Sequence, residues 1–405
     1  MARVRPFRGI RPADALAGEI IALPYDVMNR AEAREMVASN PRSFLRITRS
    51  DAELPDRIAQ HSRAAYDAGR AALERFLEEG LLHQDDGDCF YLYTQTWRGS
   101  TQQGLMALCS VDEYDRGTIK KHELTRPTKE QDRVDHIDAM DAQTGLVFLA
   151  YRDRADLDAV LASAATGPVA WDVTTEDGVR HQLQVIDRAP DIAAIEAAFS
   201  TVDALYIADG HHRSAAASRV SAARSGAGTS GWFLAGIFPD SQLQVLAYNR
   251  VVADLNGHDA PSFLAAVSER FEMGPASAPA PHRRGCFTMY LDGAWHRLTP
   301  RQGVVPVDDP VGCLDAAVLQ DNVLEPILGI TDPRRDTRVR FVGGIRGHEA
   351  LARAVDRGEA AVAFHLYPTG MDQLFDVADA GLLMPPKSTW FEPKLRAGVV
   401  LHRII

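Results

Sequence analysis

Four cysteines stand in 405 residues, Cys89, Cys109, Cys286 and Cys313. They are widely separated and form no CxxC pair, which argues against a zinc knuckle or a disulfide framework and reads them as reduced core residues. No stretch approaches the roughly 20 apolar residues of a membrane span, and the opening MARVRPFRGIRPADALAGEI carries no apolar signal core. A cytoplasmic protein without a membrane partner is the expectation. Basic charge is also in short supply: 44 Lys and Arg against 55 Asp and Glu leave a net charge of −11. That balance speaks against broad binding of nucleic acid or anionic membranes, while a local basic cleft for a small anion stays open.

The standard phosphate-binding loops are missing as well. There is no GxxxxGK[ST], no GxGxxG after a strand, and no kinase HRD or DFG element. HExxH is absent too, because His122-Glu123 is followed by Arg126 where the second histidine would stand. Whatever phosphate site this chain has is of another kind.

What is there is a well-buried globular composition, 46% apolar and 24% charged, in a chain too long for one ordinary core. Alternating strand and helix patterns predict mixed α/β architecture. Helices are expected over Ala31–Ala38, Ser62–Glu79, Lys129–Met140, Asp156–Ala164, Asp191–Phe199, Pro261–Phe271 and Ala350–Arg357. Strands are expected over Ile20–Leu23, Leu146–Tyr151, Arg180–Ile186, Phe233–Phe238, Gln244–Tyr248 and Ala360–Leu366. FYLYTQTW and GLMALCSV around RGSTQQ read as one hairpin, and Phe287–Leu291 with Trp295–Leu298 around Asp292-Gly293 as another. Three domains are expected: an N-terminal α/β segment over 1–84, a segment with the hairpin and the ADGHHR core over 85–231, and a C-terminal α/β domain over 232–405. GPASAPAP, 274–281, is the most linker-like stretch.

The most informative stretch is VDALYIADGHHRSAAA, residues 202–217. An apolar run ends at Asp209-Gly210, and a helix is expected from Arg213 to about Gly226. A helix start presents unpaired N–H groups and the positive end of the macrodipole, so His211, His212 and Arg213 at that junction suggest a phosphate or carboxylate site. Gly210 lets an anion approach the backbone. The alternative is a plain N-cap with hydrogen-bonded turn histidines.

Two further segments concentrate charge. KKHELTRPTKEQDRVDHIDAM, 120–140, holds Glu123, Arg126, Lys129, Asp132 and Arg133. On a helix starting near Pro127, Lys129 and Arg133 are i,i+4 neighbours able to face one oxyanion, with Glu123 or Asp132 as orienting group or proton acceptor; a solvated, salt-bridged helix is the alternative. PPKSTWFEPK, 385–394, offers Lys387, Ser388 and Lys394 in a proline-stiffened loop able to close on a phosphate, or else a packed connector. Asn249-Arg250 and Gly343-Gly344 are weaker strand-end candidates.

The blocks IADGHHRSAAA, KHELTRPTKEQDR, YNRVV, FVGG and MPPKSTWFEPK, with RPFRGIRP and LPYDVM, together resemble the bacterial family known as domain of unknown function 1015, across essentially the whole chain. The GHHRSAA core is also similar, over a short segment, to the phosphate-binding motif of the ParB/sulfiredoxin superfamily, whose free-serine kinases carry a very similar DGHHR run. That likeness implies a ParB/sulfiredoxin-like core with an inserted β-rich segment. It implies nucleotide phosphates on Gly210, His211, His212 and Arg213, with Asp209 near the transferred group or its Mg2+. Sulfiredoxin chemistry would need a cysteine at His211, and ParB-like DNA binding a helix-turn-helix partner and a basic face.

The reading that follows is an ATP- or ADP-dependent phosphotransferase acting on the hydroxyl of a small metabolite, free L-serine first. Glu123, Asp209, His212 and Arg213 are the catalytic candidates, with Arg126, Lys129, Arg133, Lys387, Ser388 and Lys394 as further nucleotide contacts. A homodimer is compatible with it. The alternatives are a non-catalytic nucleotide-binding regulatory module, and a hydrolase whose metal is held by Asp209, His211 and His212.

Overall fold

The structure, a computed structural model, describes residues 1–404. The chain forms two compact units, one of Met1–Leu243 with Pro393–Ile405 and one of Gln244–Glu392. The boundaries expected after residues 84 and 231 both fall inside the first unit. Among the described residues no helix is long and apolar enough to cross a membrane.

The first unit is built on a nine-stranded sheet. Along it run Ile119–Lys120, Leu205–Asp209, Val147–Tyr151, Trp232–Pro239, Ser100–Ser110, Phe90–Trp97, Arg180–Ile186 and Val169–Thr174, with Val4–Arg5 added to Ser100–Ser110. Most pairings are antiparallel; Leu205–Asp209 lies parallel to Ile119–Lys120, and Trp232–Pro239 parallel to Val147–Tyr151. The middle strands are buried on both faces, so they read as unbroken apolar runs such as Val147–Tyr151. Arg180–Ile186, nearer the edge, keeps the polar and apolar alternation visible in its sequence. Leu157, Leu161, Ile195 and Phe199 from helices Ala155–Ala164 and Ala189–Phe199 pack on Leu149, Leu205 and Ile207 of the sheet. A separate core joins helices Arg30–Ser39 and Arg63–Glu78 through Val37, Leu73 and Phe76. Ser62 caps the second of these by accepting from the Ala65 N–H at 3.4 Å.

Two local expectations shift for identifiable reasons. The hairpin link is shorter than RGSTQQ: the chain turns at Arg98 and Gly99, both at positive φ, as a tight two-residue connection demands. Ser100 to Gln103 are strand because their polar side chains find partners across it, Gln102 to Gln95 at 2.8 Å and Gln103 to Thr94 at 2.8 Å. Ile20–Leu23 is not a strand: Ala17–Ile20 is a helical turn, and Ala22 makes one isolated bridge with Ala397. Four apolar residues before a proline do not distinguish the two by periodicity.

The second unit carries a six-stranded antiparallel sheet in the order Phe271–Pro275, Ala294–Pro300, Phe287–Leu291, Val362–His365, Tyr248–Val252, Val339–Gly343, and a two-stranded sheet pairing Gln244–Leu246 with Trp390–Glu392. Its core gathers Val252, Phe263, Phe287, Met289, Leu319 and Phe364. GPASAPAP lies within this unit: Gly274 and Pro275 end strand Phe271–Pro275, and the loop after them is anchored where the Thr288 hydroxyl and the His365 ring meet the Pro279 carbonyl.

Candidate functional site

Strand Leu205–Asp209 ends in an irregularity: its register against Val147–Tyr151 slips between Ile207 and Asp209. Such bulges re-aim the last side chains of a strand. The chain then turns at Gly210, φ +100°, into helix His211–Ala223, which has no side-chain cap at its start. A side chain at Gly210 would be strained, and its Cβ would stand 3.3 Å from the Val147 Cα. The helix begins two residues earlier than expected, so both histidines belong to its first turn. Its first N–H groups, at Gly210 and His211, are of the kind that a helix start leaves without intrahelical partners.

Asp209 faces Lys394, whose Nζ donates to Oδ2 at 3.0 Å. Partial burial opposes ionisation, but the charges of Lys394 and then Arg213 outweigh it and hold the carboxyl below the usual range. His211 is buried against His122, ring centroids 4.5 Å apart and nearly perpendicular. Its Nε2 faces the His122 backbone N–H at 3.5 Å, and its Nδ1 lies 4.0 Å from Glu123 Oε2. Burial pushes His122 down to about 4 and His211 well below the ordinary imidazole value, the latter reinforced by His122. Both rings are neutral at neutral pH. The His212 Nε2 accepts from the Arg126 backbone N–H at 3.0 Å. An Nε2 that accepts is unprotonated, which puts the hydrogen on Nδ1. The two histidines are therefore neutral groups rather than cations.

Arg213 turns toward the sheet. Its Nη1 donates to the Leu146 carbonyl at 2.6 Å, its Nη2 stands 3.8 Å from Asp26, and its guanidinium lies 5.5 Å over the Tyr25 ring.

Helix Pro127–Met140 forms as its sequence predicts, but Lys129 and Arg133 part company. Lys129 is exposed in the first turn, whereas Arg133 is buried against Asp132 at 2.6 Å and 3.9 Å over Tyr25. Asp132 is in turn engaged by His61 at 2.5 Å and the Tyr66 hydroxyl at 2.6 Å, so it is a structural anchor. Arg126 is exposed and contributes its backbone N–H. Glu123, His211, His212, Asp209 and Lys394 thus gather around the Gly210 turn.

Lys387 and Ser388 belong to the second unit. There Lys387 has φ +59° and its Nζ lies 5.6 Å over Tyr248, while the Ser388 hydroxyl donates to the Pro385 carbonyl at 2.7 Å. Arg250, buried, donates to the Pro386 and Lys387 carbonyls at 3.3 and 3.2 Å, and a side chain at Gly343 would collide with Trp390. The YNRVV, FVGG and PPKSTW blocks therefore meet in one place within that unit.

Among the described residues no group of three or more His, Cys, Asp or Glu stands close enough to hold a metal ion. Asp209, His211 and His212, though close in sequence, do not form one. The Nε2 atoms of the two histidines are turned to backbone N–H groups, and the Asp209 carboxylate to Lys394.

The protein family of unknown function DUF1015 matches residues 4–317. The chain belongs to this family. No curated protein matches. Similar solved structures include a free serine kinase in complex with AMP (TM-score 0.35, 12% identity, 71% of this chain and 86% of that one). A conserved hypothetical protein from Pyrococcus furiosus gives TM-score 0.34, 12% identity and 71% and 90% coverage. SbnI with a C-terminal truncation, from Staphylococcus aureus, gives 0.38, 9%, and 72% and 84%.

In this DUF1015 chain several residues around the turn are not evident from the sequence. His122 was visible only as the failed start of an HExxH. Tyr25 and Asp26 lie in the LPYDVM block without a charge pattern to single them out. Arg396 and His136, which line a cavity beside the turn with Val147 and Arg213, look like an ordinary loop arginine and a helix histidine.

Proposed function

We propose that the chain is a phosphotransferase that binds ATP or ADP at the Gly210 turn and phosphorylates the hydroxyl of a small metabolite, with L-serine the first candidate. The observation that carries this reading is an uncapped helix start behind a left-handed glycine, with Glu123, Asp209 and Lys394 beside it. Phosphate oxygens accept from the first-turn N–H groups, where the macrodipole favours negative charge. Lys394, 3.0 Å from Asp209, is a cation at this edge. The neutral His211 faces Glu123, with its Nδ1 4.0 Å from Oε2. In transfer, the acceptor oxygen forms a bond to the terminal phosphorus, the bridging P–O bond breaks toward the nucleotide, and Glu123 takes the hydroxyl proton.

A single carboxylate together with nucleotide phosphates suits Mg2+, which takes one or two protein carboxylates and keeps its remaining positions for phosphate and water. Asp209 is the residue that would hold it, exchanging Lys394 for the ion, and the ion would neutralise phosphate charge.

Calorimetric titration with ATP, ADP and L-serine, followed by phosphorus NMR of the complete mixture, tests the reading. Nucleotide binding with a new phosphomonoester signal supports it. Absence of nucleotide binding at millimolar concentration overturns it.

A further inference from the structure

Behind the Gly210 turn the first unit contains a cavity of about 40 Å³. Val147, whose Cα packs against Gly210, and Arg213, in the first turn of the helix, both line it, so it adjoins the candidate site. Three arginines line it, Arg133, Arg213 and Arg396, and no Asp or Glu among the described residues does. Each guanidinium has its carboxylate elsewhere: Asp132 for Arg133, Asp26 for Arg213 and Asp177 for Arg396. Arg133 and Arg213 both lie over the Tyr25 ring, at 3.9 and 5.5 Å, which holds them at the cavity wall. Arg396 is fixed by the His181 ring at 3.3 Å and the Thr175 hydroxyl at 3.2 Å.

These pairings set the charge the cavity accepts. Three cations already paired leave N–H donors but little net charge, which suits a monoanionic carboxylate better than a phosphate dianion. A cavity of about 40 Å³ has room for several water-sized groups, enough for a carboxylate and the group beside it.

A fourth group specifies the neighbour of that carboxylate. His136 is 4% exposed and lines the cavity, and its Nε2 has no partner. Its ring hydrogen-bonds the Ile47 backbone, and burial, with Arg133 beside it, keeps it neutral at physiological pH. An imidazole that donates to a carbonyl through one nitrogen offers the other as an acceptor. A buried acceptor without a donor costs about 1–3 kcal/mol, so a ligand supplying one is favoured.

We propose that this cavity binds the carboxylate of a small 2-amino or 2-hydroxy acid, with Arg133, Arg213 and Arg396 around the carboxylate and His136 Nε2 accepting from the adjacent ammonium or hydroxyl. The proposal rests on the phosphotransferase reading only in making this acid the phosphoryl acceptor; the binding claim stands apart from it.

Calorimetry on the full chain tests it with L-serine, L-lactate and L-serine methyl ester, each with and without ADP, and with ADP alone. At least one of the two acids binds, and the ester binds at least about tenfold more weakly than serine. Arg396→Gln removes one donor set and Gly145→Ala sets a methyl 3.3 Å from the Arg213 Nε without changing charge; each weakens the acid by about tenfold while the ADP constant moves less than about twofold. Far-UV circular dichroism and the thermal midpoint verify that the variants are folded, and Gly145→Ala decides the matter if Arg396→Gln is not. Binding of neither acid, equal binding of acid and ester, or a parallel loss of ADP affinity in Gly145→Ala overturns the proposal. ADP binding without acid binding removes this proposal and leaves the nucleotide site standing; acid binding without ADP binding supports it and removes the phosphotransferase reading.

Discussion

Lys394 reaches across 185 residues of sequence to place its Nζ 3.0 Å from Asp209 Oδ2, so the returning C-terminal segment of the first unit closes one side of the Gly210 turn. The Asp209 side chain is 42% exposed, which limits the pair to about 1 kcal/mol or less of stability. Its carboxyl is held below the unfolded value, so this stability is present above the unfolded pKa of about 4 and fades as pH falls below it. Lys394→Met is therefore expected to be less stable than the wild type at pH 7, with a smaller difference at pH 3. Urea denaturation at both pH values measures this.

Gly210→Ala forces a Cβ onto a backbone at φ +100° and against the Val147 Cα. The expected cost is about 1–2 kcal/mol. ADP affinity should fall by more than about tenfold, because the displaced turn no longer presents its N–H groups to a phosphate. Denaturant midpoints and ADP titration report the two effects separately.

Buried neutral histidines make the protein acid-sensitive in a defined window. His122 titrates near 4 in the folded chain, chiefly because it is buried, against about 6.5 unfolded. The unfolded state takes up the proton first, so stability is full above about 6.5 and declines as pH falls toward 4. His136, down to about 3, adds to the same slope. Replacing His122 by Gln should reduce the slope of unfolding free energy between pH 6 and 4 by up to about 1.4 kcal/mol per pH unit. An unchanged slope would contradict the assignment.

Glu123→Gln keeps the shape of the side chain and removes the proton acceptor. Turnover of the proposed transfer should drop by about 10²–10⁴-fold while the ADP constant stays within about twofold. Single-turnover phosphorus NMR beside ADP calorimetry separates chemistry from binding. Loss of ADP affinity instead would make Glu123 a nucleotide-binding residue.

Much of the local structure was legible because it depends on near neighbours. Pro127 at the first turn and the run to Met140 delimit their helix, and the alternation in Arg180–Ile186 delimits its strand. Charge spacing carried less. Lys129 and Arg133 are four residues apart on one helix, yet one meets water and the other is buried beneath Tyr25. Helical spacing says which residues share a face but not how far along the helix that face is covered.

The sequence by itself determined the mixed α/β character, the family, and the strand-to-helix turn at Gly210, since apolar runs, a turn glycine and a helix-forming segment act over a few residues. Tertiary structure decided which charges meet there. It paired Asp209 with Lys394, set His211 between His122 and Glu123, and turned Arg213 inward to join Arg133 and Arg396 around a cavity. Those outcomes depend on sheet order and on which side chains lose their water, and neither is encoded in the spacing of residues along the chain.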